Sequence, residues 1–271
     1  MNKVGISTAS FFIKALTEDT FALIKSLGAE CAEVFLTTNY EYSEEFGKLL
    51  KERQQQTGLE IYSVHSLNTT FEPQLFNPAP RTINDALIPF RNVLARAKDL
   101  GAKEYTFHGQ SRLKKTANFN YEKVGNRLEE LNAEAREYGV TIGLENVHWA
   151  IYNQPEVFGE IKKAAPTLGC VLDIKQAWQS GRDWKEYVDI MGDRLMNVHL
   201  CDHTAEGKTC VVGKGVFDFK EMISYLHKKG YTGPLIIEQY ASDYTDYSEI
   251  EEAVRYLKKL VEDEYALKIW L

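Results

Sequence analysis

Short apolar runs and longer stretches of helical periodicity take turns along the whole chain. The runs are Val4–Thr8, Ala32–Leu36, Glu60–His65, Glu104–His108, Val140–Glu145, Gly169–Asp173, Leu195–Leu200 and Pro234–Gln239. Each has strand length and is rich in β-branched or aromatic residues. The stretches between them predict helices over Glu18–Leu27, Ser43–Thr57, Thr82–Leu100, Tyr121–Tyr138, Gln154–Ala165, Asp183–Met191, Asp218–Lys229 and Ser248–Tyr265. In the third, Ile83, Leu87, Phe90, Val93, Leu94 and Ala97 share one face, and Pro89 inside it marks a kink or a boundary. Thr17 is the expected N-cap of the first helix, and Gly28, Gly58, Gly101, Gly139 and Gly230 stop five helices just before a strand.

Eight strand–helix units imply parallel strands, because each strand must return through a crossover. In 271 residues, close to the roughly 250 of a typical barrel, they predict an α/β fold, a single (β/α)8 TIM barrel. No composition shift or low-complexity segment divides residues 1–271, so one domain is expected. The longest irregular stretch, Ser66 to Arg81, holds three prolines together with Leu67, Phe71, Leu75 and Phe76. Its aromatics either fold over the barrel mouth and exclude water or pack onto the rim. The apolar tail Leu267–Leu271 packs on the barrel base or meets another subunit of a homo-oligomer.

A hydrophobic content of 44% supports a large core, and the net charge of −7 argues against a nucleic-acid partner. No apolar run approaches the roughly 20 residues of a membrane helix. Met1–Ile6 lead into a strand without a signal-peptide core. Cys31, Cys170, Cys201 and Cys210 lack CxxC spacing and read as reduced thiols, so a cytoplasmic location is expected.

The chemistry lies at the strand ends. Thr141-Ile-Gly-Leu-Glu-Asn146 places Glu145 at the end of an uncharged run, and five other runs end likewise on His65, His108, Asp173, His199 and Glu238. A parallel barrel brings all six to one mouth, where barrel enzymes have their active sites. Glu145, Asp173, His199 and Glu238 suit one divalent metal ion such as Mn, Co, Mg or Zn. Three carboxylates without a cation would repel one another and draw protons. His65 and His108 hold a second ion, bridged by Glu145, or bind substrate hydroxyls. Lys175, two residues past Asp173, and Lys214, between two glycines, are candidate substrate-binding cations. His148 and Trp149 follow Glu145 closely and line the mouth.

The runs Gly143-Leu-Glu-Asn146, Leu172-Asp173, Asn197-Val-His-Leu-Cys-Asp202 and Ile237-Glu238 resemble the xylose isomerase-like barrels over essentially the whole chain. That superfamily includes sugar isomerases and epimerases, inosose dehydratases and endonuclease IV. The resemblance to ketose 3-epimerases implies that Glu145 and Glu238 bind the metal and also exchange a substrate proton. It departs from them at three places, where Gln176, Ala205 and Ile151 stand for a histidine, an arginine and a glutamate. The 3-epimerase substrate set is therefore not reproduced, and Gln176 becomes a candidate substrate contact. Endonuclease IV has three zinc ions. The residues matching two of its sites are present, but Gln176 and Val212-Gly-Lys-Gly215 replace those of the third. The resemblance thus implies a metal-dependent isomerase or epimerase acting on a sugar, sugar phosphate or inosose by proton transfer beside a carbonyl. The alternatives are an inosose-type dehydratase, an endonuclease IV-like zinc phosphodiesterase and a non-catalytic sugar-binding barrel.

Overall fold

The computed structural model of the chain describes residues 1–67, 71–112 and 119–269. The barrel strands are β1 (Val4–Ser7), β2 (Cys31–Leu36), β3 (Glu60–Ser66), β4 (Glu104–Phe107), β5 (Thr141–Glu145), β6 (Gly169–Asp173) and β7 (Leu195–Leu200). A small hairpin, β8 (Asp202–His203) with β9 (Thr209–Cys210), follows, and β10 (Leu235–Ile237) completes the barrel. All barrel pairs are parallel, and the order β1-β10-β7-β6-β5-β4-β3-β2 closes on itself. The expected eight-stranded barrel is therefore the observed one.

The helices are α1 (Thr20–Ser26), α2 (Glu44–Thr57), α3 (Pro80–Leu100), α4 (Tyr121–Glu137), α5 (Pro155–Ala164), α6 (Ile174–Gln179), α7 (Trp184–Met191), α8 (Phe219–Lys228) and α9 (Tyr247–Ile269). Their buried faces, such as Phe90, Val93, Leu94 and Ala97 of α3, pack on the outer residues of the strands in one apolar cluster. The sequence pattern missed α6 and the hairpin. It also misplaced the first helix start. Thr17 opens a 3-10 turn instead of capping, because its hydroxyl donates to Glu41 Oε1 at 3.1 Å. Helix α3 runs through Pro89 without a boundary. Gly58 and Gly101 do end α2 and α3 in the left-handed region, with φ of 62° and 69°, a conformation that is strained for residues with a Cβ.

The stretch after β3 packs onto the barrel. Phe71 and Leu75 are buried, with Phe71 against Tyr42 and Phe76 near Phe107. Its anchor is Glu72, fully buried at the head of a 3-10 turn. Glu72 Oε1 accepts from Tyr105 Oη at 2.6 Å and Ser66 Oγ at 2.9 Å, and Oε2 accepts from the backbone N–H of His108 and Gly109 at 2.9 and 2.8 Å. This acceptor-only group fixes the exit of β4, and with it His108. Glu72→Gln turns one acceptor into a donor facing donors. The expected loss is about 2 kcal/mol, checked by urea denaturation. Residues 68–70 of this stretch and the side chains of the tail Leu267–Leu271 lie outside the described residues, so the expectations for them rest there.

Candidate metal centre

Side chains alternate across each strand, so the barrel interior receives every second residue. Most such interiors are filled with bulky apolar groups. This one carries a polar layer instead, made of Ser7, Glu33, Ser63, Thr106 and Asn197, all buried. Ser63 Oγ and Thr106 Oγ1 each donate to Glu33 Oε2 at 2.7 Å, and Asn197 Nδ2 donates to it at 3.2 Å. Below lies Glu104, with Oε1 3.1 Å from Thr106 Oγ1. Gly143 leaves room for its carboxyl; a Cβ there would collide with Glu104 Oε1.

The six strand-end residues meet above this layer. His65 lies in β3 and His199 in β7, Glu145 and Asp173 end β5 and β6, and His108 and Glu238 directly follow β4 and β10. His199 Nδ1 is 3.1 Å from Glu238 Oε2 and 3.7 Å from Glu145 Oε1. His108 Nε2 is 2.8 Å from Glu145 Oε2 and 2.9 Å from His65 Nε2. His65 Nδ1 faces Glu33 Oε1 at 3.3 Å and Glu238 Oε1 at 3.4 Å. Asp173 has two tasks. Its Oδ1 caps α6 by accepting from Gln176 N–H at 3.0 Å, and its Oδ2 points to Lys175 Nζ at 3.5 Å. The Asn146 side chain exchanges two hydrogen bonds with the Asp173 backbone and holds that strand end in place.

The donor set fits a divalent cation. Nδ1 of His65, His108 and His199, Oε2 of Glu145 and Oδ2 of Asp173 are buried without a hydrogen bond, a costly state for polar atoms. Glu145, Asp173, His199 and Glu238 offer one atom each within 4.8 Å of one another, and His65, His108 and Glu145 do the same. Carboxylate oxygens with imidazole nitrogen are the ligands expected for Mn, Co, Mg or Zn.

Electrostatics describe the same centre from the other side. Burial disfavours a charged imidazole, yet Glu238 and Glu33 outweigh it and lift His65 to a pKa of about 10. His199 is likewise raised well above its ordinary value by Glu33 and Glu238. Burial would raise Glu145 and Glu238, but His108 and His199 hold them well below the usual carboxylate range. Glu33 falls to about 2 against its burial because His199 and His65 face it. Asp173 goes the other way, to about 6: burial dominates, and the opposing charge of Lys175 is partly cancelled by Glu145 and Glu238.

The other candidates divide. Lys175 is buried, with its ammonium beside Asp173 and 4.8 Å from the Tyr240 ring centre. Gln176 Oε1 receives His148 N–H at 3.0 Å and lies 2.5 Å from His148 Nδ1, locking the two residues together. The Trp149 ring is 5.8 Å from that of His108. Lys214 instead pairs with Glu252 at the surface, 2.8 Å away and half exposed. Its loop is organised by Asp202, which accepts from the backbone of His203, Gly213, Gly215 and Phe217. Sequence reasoning missed Glu33 and Phe35. The Phe35 ring sits 4.8 Å from that of His65, with Phe12 beyond it.

A model of the xylose isomerase-like TIM barrel family matches residues 21–260. The chain belongs to that family. No curated protein matches it. Among solved structures it is similar to an L-ribulose 3-epimerase, with 17% identity, a TM-score of 0.82 and coverage of 100% of this chain and 98% of that one. A D-tagatose 3-epimerase-like protein shares 22% identity, with a TM-score of 0.78 and coverage of 97% and 99%. A 3-keto-D-glucoside 4-epimerase from E. coli shares 15%, with a TM-score of 0.77 and coverage of 96% and 100%. At such identities the likeness establishes the fold of this xylose isomerase-like barrel. No helix among its described residues is long and apolar enough to cross a membrane.

Proposed function

We propose that this chain is a divalent-metal-dependent isomerase or epimerase of a sugar or related hydroxy-carbonyl compound. One observation carries the reading. Two buried carboxylates approach the same imidazole nitrogen, Glu238 at 3.1 Å and Glu145 at 3.7 Å from His199 Nδ1. They come from opposite ends of the four-strand arc β5-β6-β7-β10. Carboxylates so placed address a substrate between them from two directions, one taking a proton and the other returning it. Solved epimerases of the same fold support this choice of chemistry.

Glu145, Asp173, His199 and Glu238 would hold the cation. Bound there, it would supply positive charge to a carbonyl oxygen and make the adjacent C–H more acidic. The chain does the rest. Lys175 offers its ammonium to a substrate oxygen, Trp149 offers an apolar face to the sugar ring, and His148 with Gln176 forms the polar edge. Incubating the purified protein with Mn²⁺ and a panel of ketoses and inososes in D₂O tests the proposal by NMR. Deuterium should enter beside the carbonyl; no incorporation into any compound sinks the reading. Product masses lacking one water would mark a dehydratase, which shares the first proton transfer.

A zinc phosphodiesterase is the second reading, favoured by the convergence of His65, His108 and Glu145 as a second ion site. Against it stand the net charge of −7 and the engagement of Gln176 with His148. Two zinc equivalents together with incision of abasic DNA would establish it.

Metal binding itself has an expected signature. A cation at 100 times its Kd stabilises the fold by about 2.7 kcal/mol, seen as a rise of several degrees in Tm on adding Mn²⁺. Because His199 is held as a cation by its carboxylates, metal entry must release a proton, so affinity rises with pH. Calorimetric titrations at about pH 6 and about pH 8 check this, and equal affinities would contradict it.

A further inference from the structure

We infer that the substrate carries an apolar carbon group at the end away from its reacting carbons, received by Phe12 and Phe35 on the β1–β2 side of the mouth. The wall starts inside the barrel. Phe35 stands two residues after Glu33 on β2, so both side chains face inward. It pairs in register with His65, and the two rings are 4.8 Å apart. Phe12 continues the wall outward, with its ring 6.0 Å from that of Phe35 and edge to face. Neither ring belongs to the apolar core.

The loop that brings Phe12 is tied down. Thr8 Oγ1 accepts from Phe35 N–H at 2.8 Å, Ser10 Oγ donates to the Ile237 carbonyl at 3.3 Å, and Lys14 Nζ donates to the Tyr244 carbonyl at 2.8 Å. Between these ties Ile13 has a φ of 66°, the one described residue other than glycine in the left-handed region. A β-branched side chain adopts that conformation only under constraint. The result is an exposed apolar ridge: Phe12 is 50% exposed, Ile13 86% and Leu16 65%. Contiguous apolar surface left open to water marks a place where something binds.

Its position says what covers it. Strands β1 and β2 lie across the closed barrel from β5 and β6, and the polar edge of His148, Gln176 and Lys175 follows those opposite strands. The metal-capable cluster lies between the two sides. A molecule spanning the mouth therefore meets hydrogen-bonding groups at one end, the cluster in the middle and two phenyl rings at the other. A hydroxyl set against those rings would lose its water without gaining a partner, whereas carbon gains by leaving water. The unbroken path from His65 through Phe35 to Phe12 makes the occupant part of the substrate. Its chemistry is carbon in place of a terminal hydroxyl, as the methyl of a deoxysugar or as an alkyl or aryl substituent on a sugar.

The inference rests on the proposed function in seating the reacting carbons at the cluster, but its readout is binding and needs no turnover. Calorimetry on the full-length protein loaded with Mn²⁺ compares 6-deoxy-D-fructose with D-fructose, and phenyl β-D-glucoside with D-glucose. The apolar member should bind tighter, by about fourfold for the methyl or by about tenfold for the phenyl group. Preference in the first pair alone assigns a deoxysugar, and preference in the second assigns a larger substituent. Affinities equal to within about twofold in both pairs overturn the inference. Phe12→Ala, a change outside the core, should abolish the preference. A wild-type preference in that variant with native circular dichroism also overturns it; should the variant fail to fold, the wild-type comparison decides alone. A dimer that Phe12→Ala dissociates, with no apolar preference in either pair, would assign the ridge to a second copy of the chain instead. Absence of deuterium exchange with the preference retained would remove the proposed function and leave the apolar wall, and exchange without preference would do the reverse.

Discussion

Glu238→Gln is expected to leave the barrel folded and to slow exchange of a substrate C–H with solvent deuterium by two to four orders of magnitude. Glu238 is buried to 7% exposure at the open end of β10, with Oε1 accepting from Ser7 Oγ at 3.2 Å and Oε2 facing His199. His199 keeps it ionised well below the usual carboxylate range, the state a base requires. Glutamine preserves its shape and the acceptor for Ser7 while removing both the charge and the basic lone pair. Circular dichroism should be unchanged, and the deuterium content of recovered sugar, read by NMR, gives the rate. Exchange at the wild-type rate would remove Glu238 from the chemistry and leave Glu145 as the only carboxylate of the proposed pair.

Glu104→Gln should act on stability, and in a pH-dependent way. Burial, with Glu33 nearby, raises the Glu104 carboxyl from 4.5 to about 8. Between those values the folded chain holds a proton that the unfolded chain releases. The native state is then the one that binds more protons, so stability falls as pH rises. Its contribution is complete below the unfolded value and is gone once pH passes the folded one. At pH 7 the gap to the unfolded value corresponds to about 3 kcal/mol, at about 1.4 kcal/mol per unit. Glutamine needs no proton and keeps a polar group beside Thr106 Oγ1, so the variant should be more stable by about that amount at neutral pH. The gain should shrink to under about 1 kcal/mol near pH 5. Urea denaturation at both pH values measures it, and an equal gain at both would show that Glu104 does not titrate as described.

The barrel was legible because its signals are local. Apolar runs of strand length and glycines at helix ends repeat around the chain, and each of the six cluster residues stands at or beside the end of such a run. Glu33 escaped because it sits inside β2, between Ala32 and Val34, and its partners come from β3, β4 and β7. The usable signal was a lone charge in the middle of Cys31–Leu36, a position that burial should forbid unless it is paired. Helix α6 escaped for a different reason. Its N-cap is Asp173, already read as a ligand, and six residues are too few to show a periodic face. The hairpin after β7 depends on Asp202 gathering four backbone N–H groups from residues up to fifteen positions away, an arrangement that no local pattern encodes. Lys214 pairs with Glu252 of the distant helix α9, a contact that no local pattern shows.

The capping of α6 by Asp173 couples two things that evolution could otherwise vary separately. The residue that closes the cluster on β6 also sets where the next helix begins, and so sets the direction in which Lys175 and Gln176 leave the strand. With Lys175 and Gln176 proposed as substrate contacts, exchanging either is expected to alter which molecule is accepted, since the cap needs only the backbone N–H of position 176. Moving Asp173 would redraw the entrance itself, because the cap of α6 would move with it. On the proposed roles, substrate choice is open to single substitutions in this segment, whereas the position of the entrance is tied to the cluster.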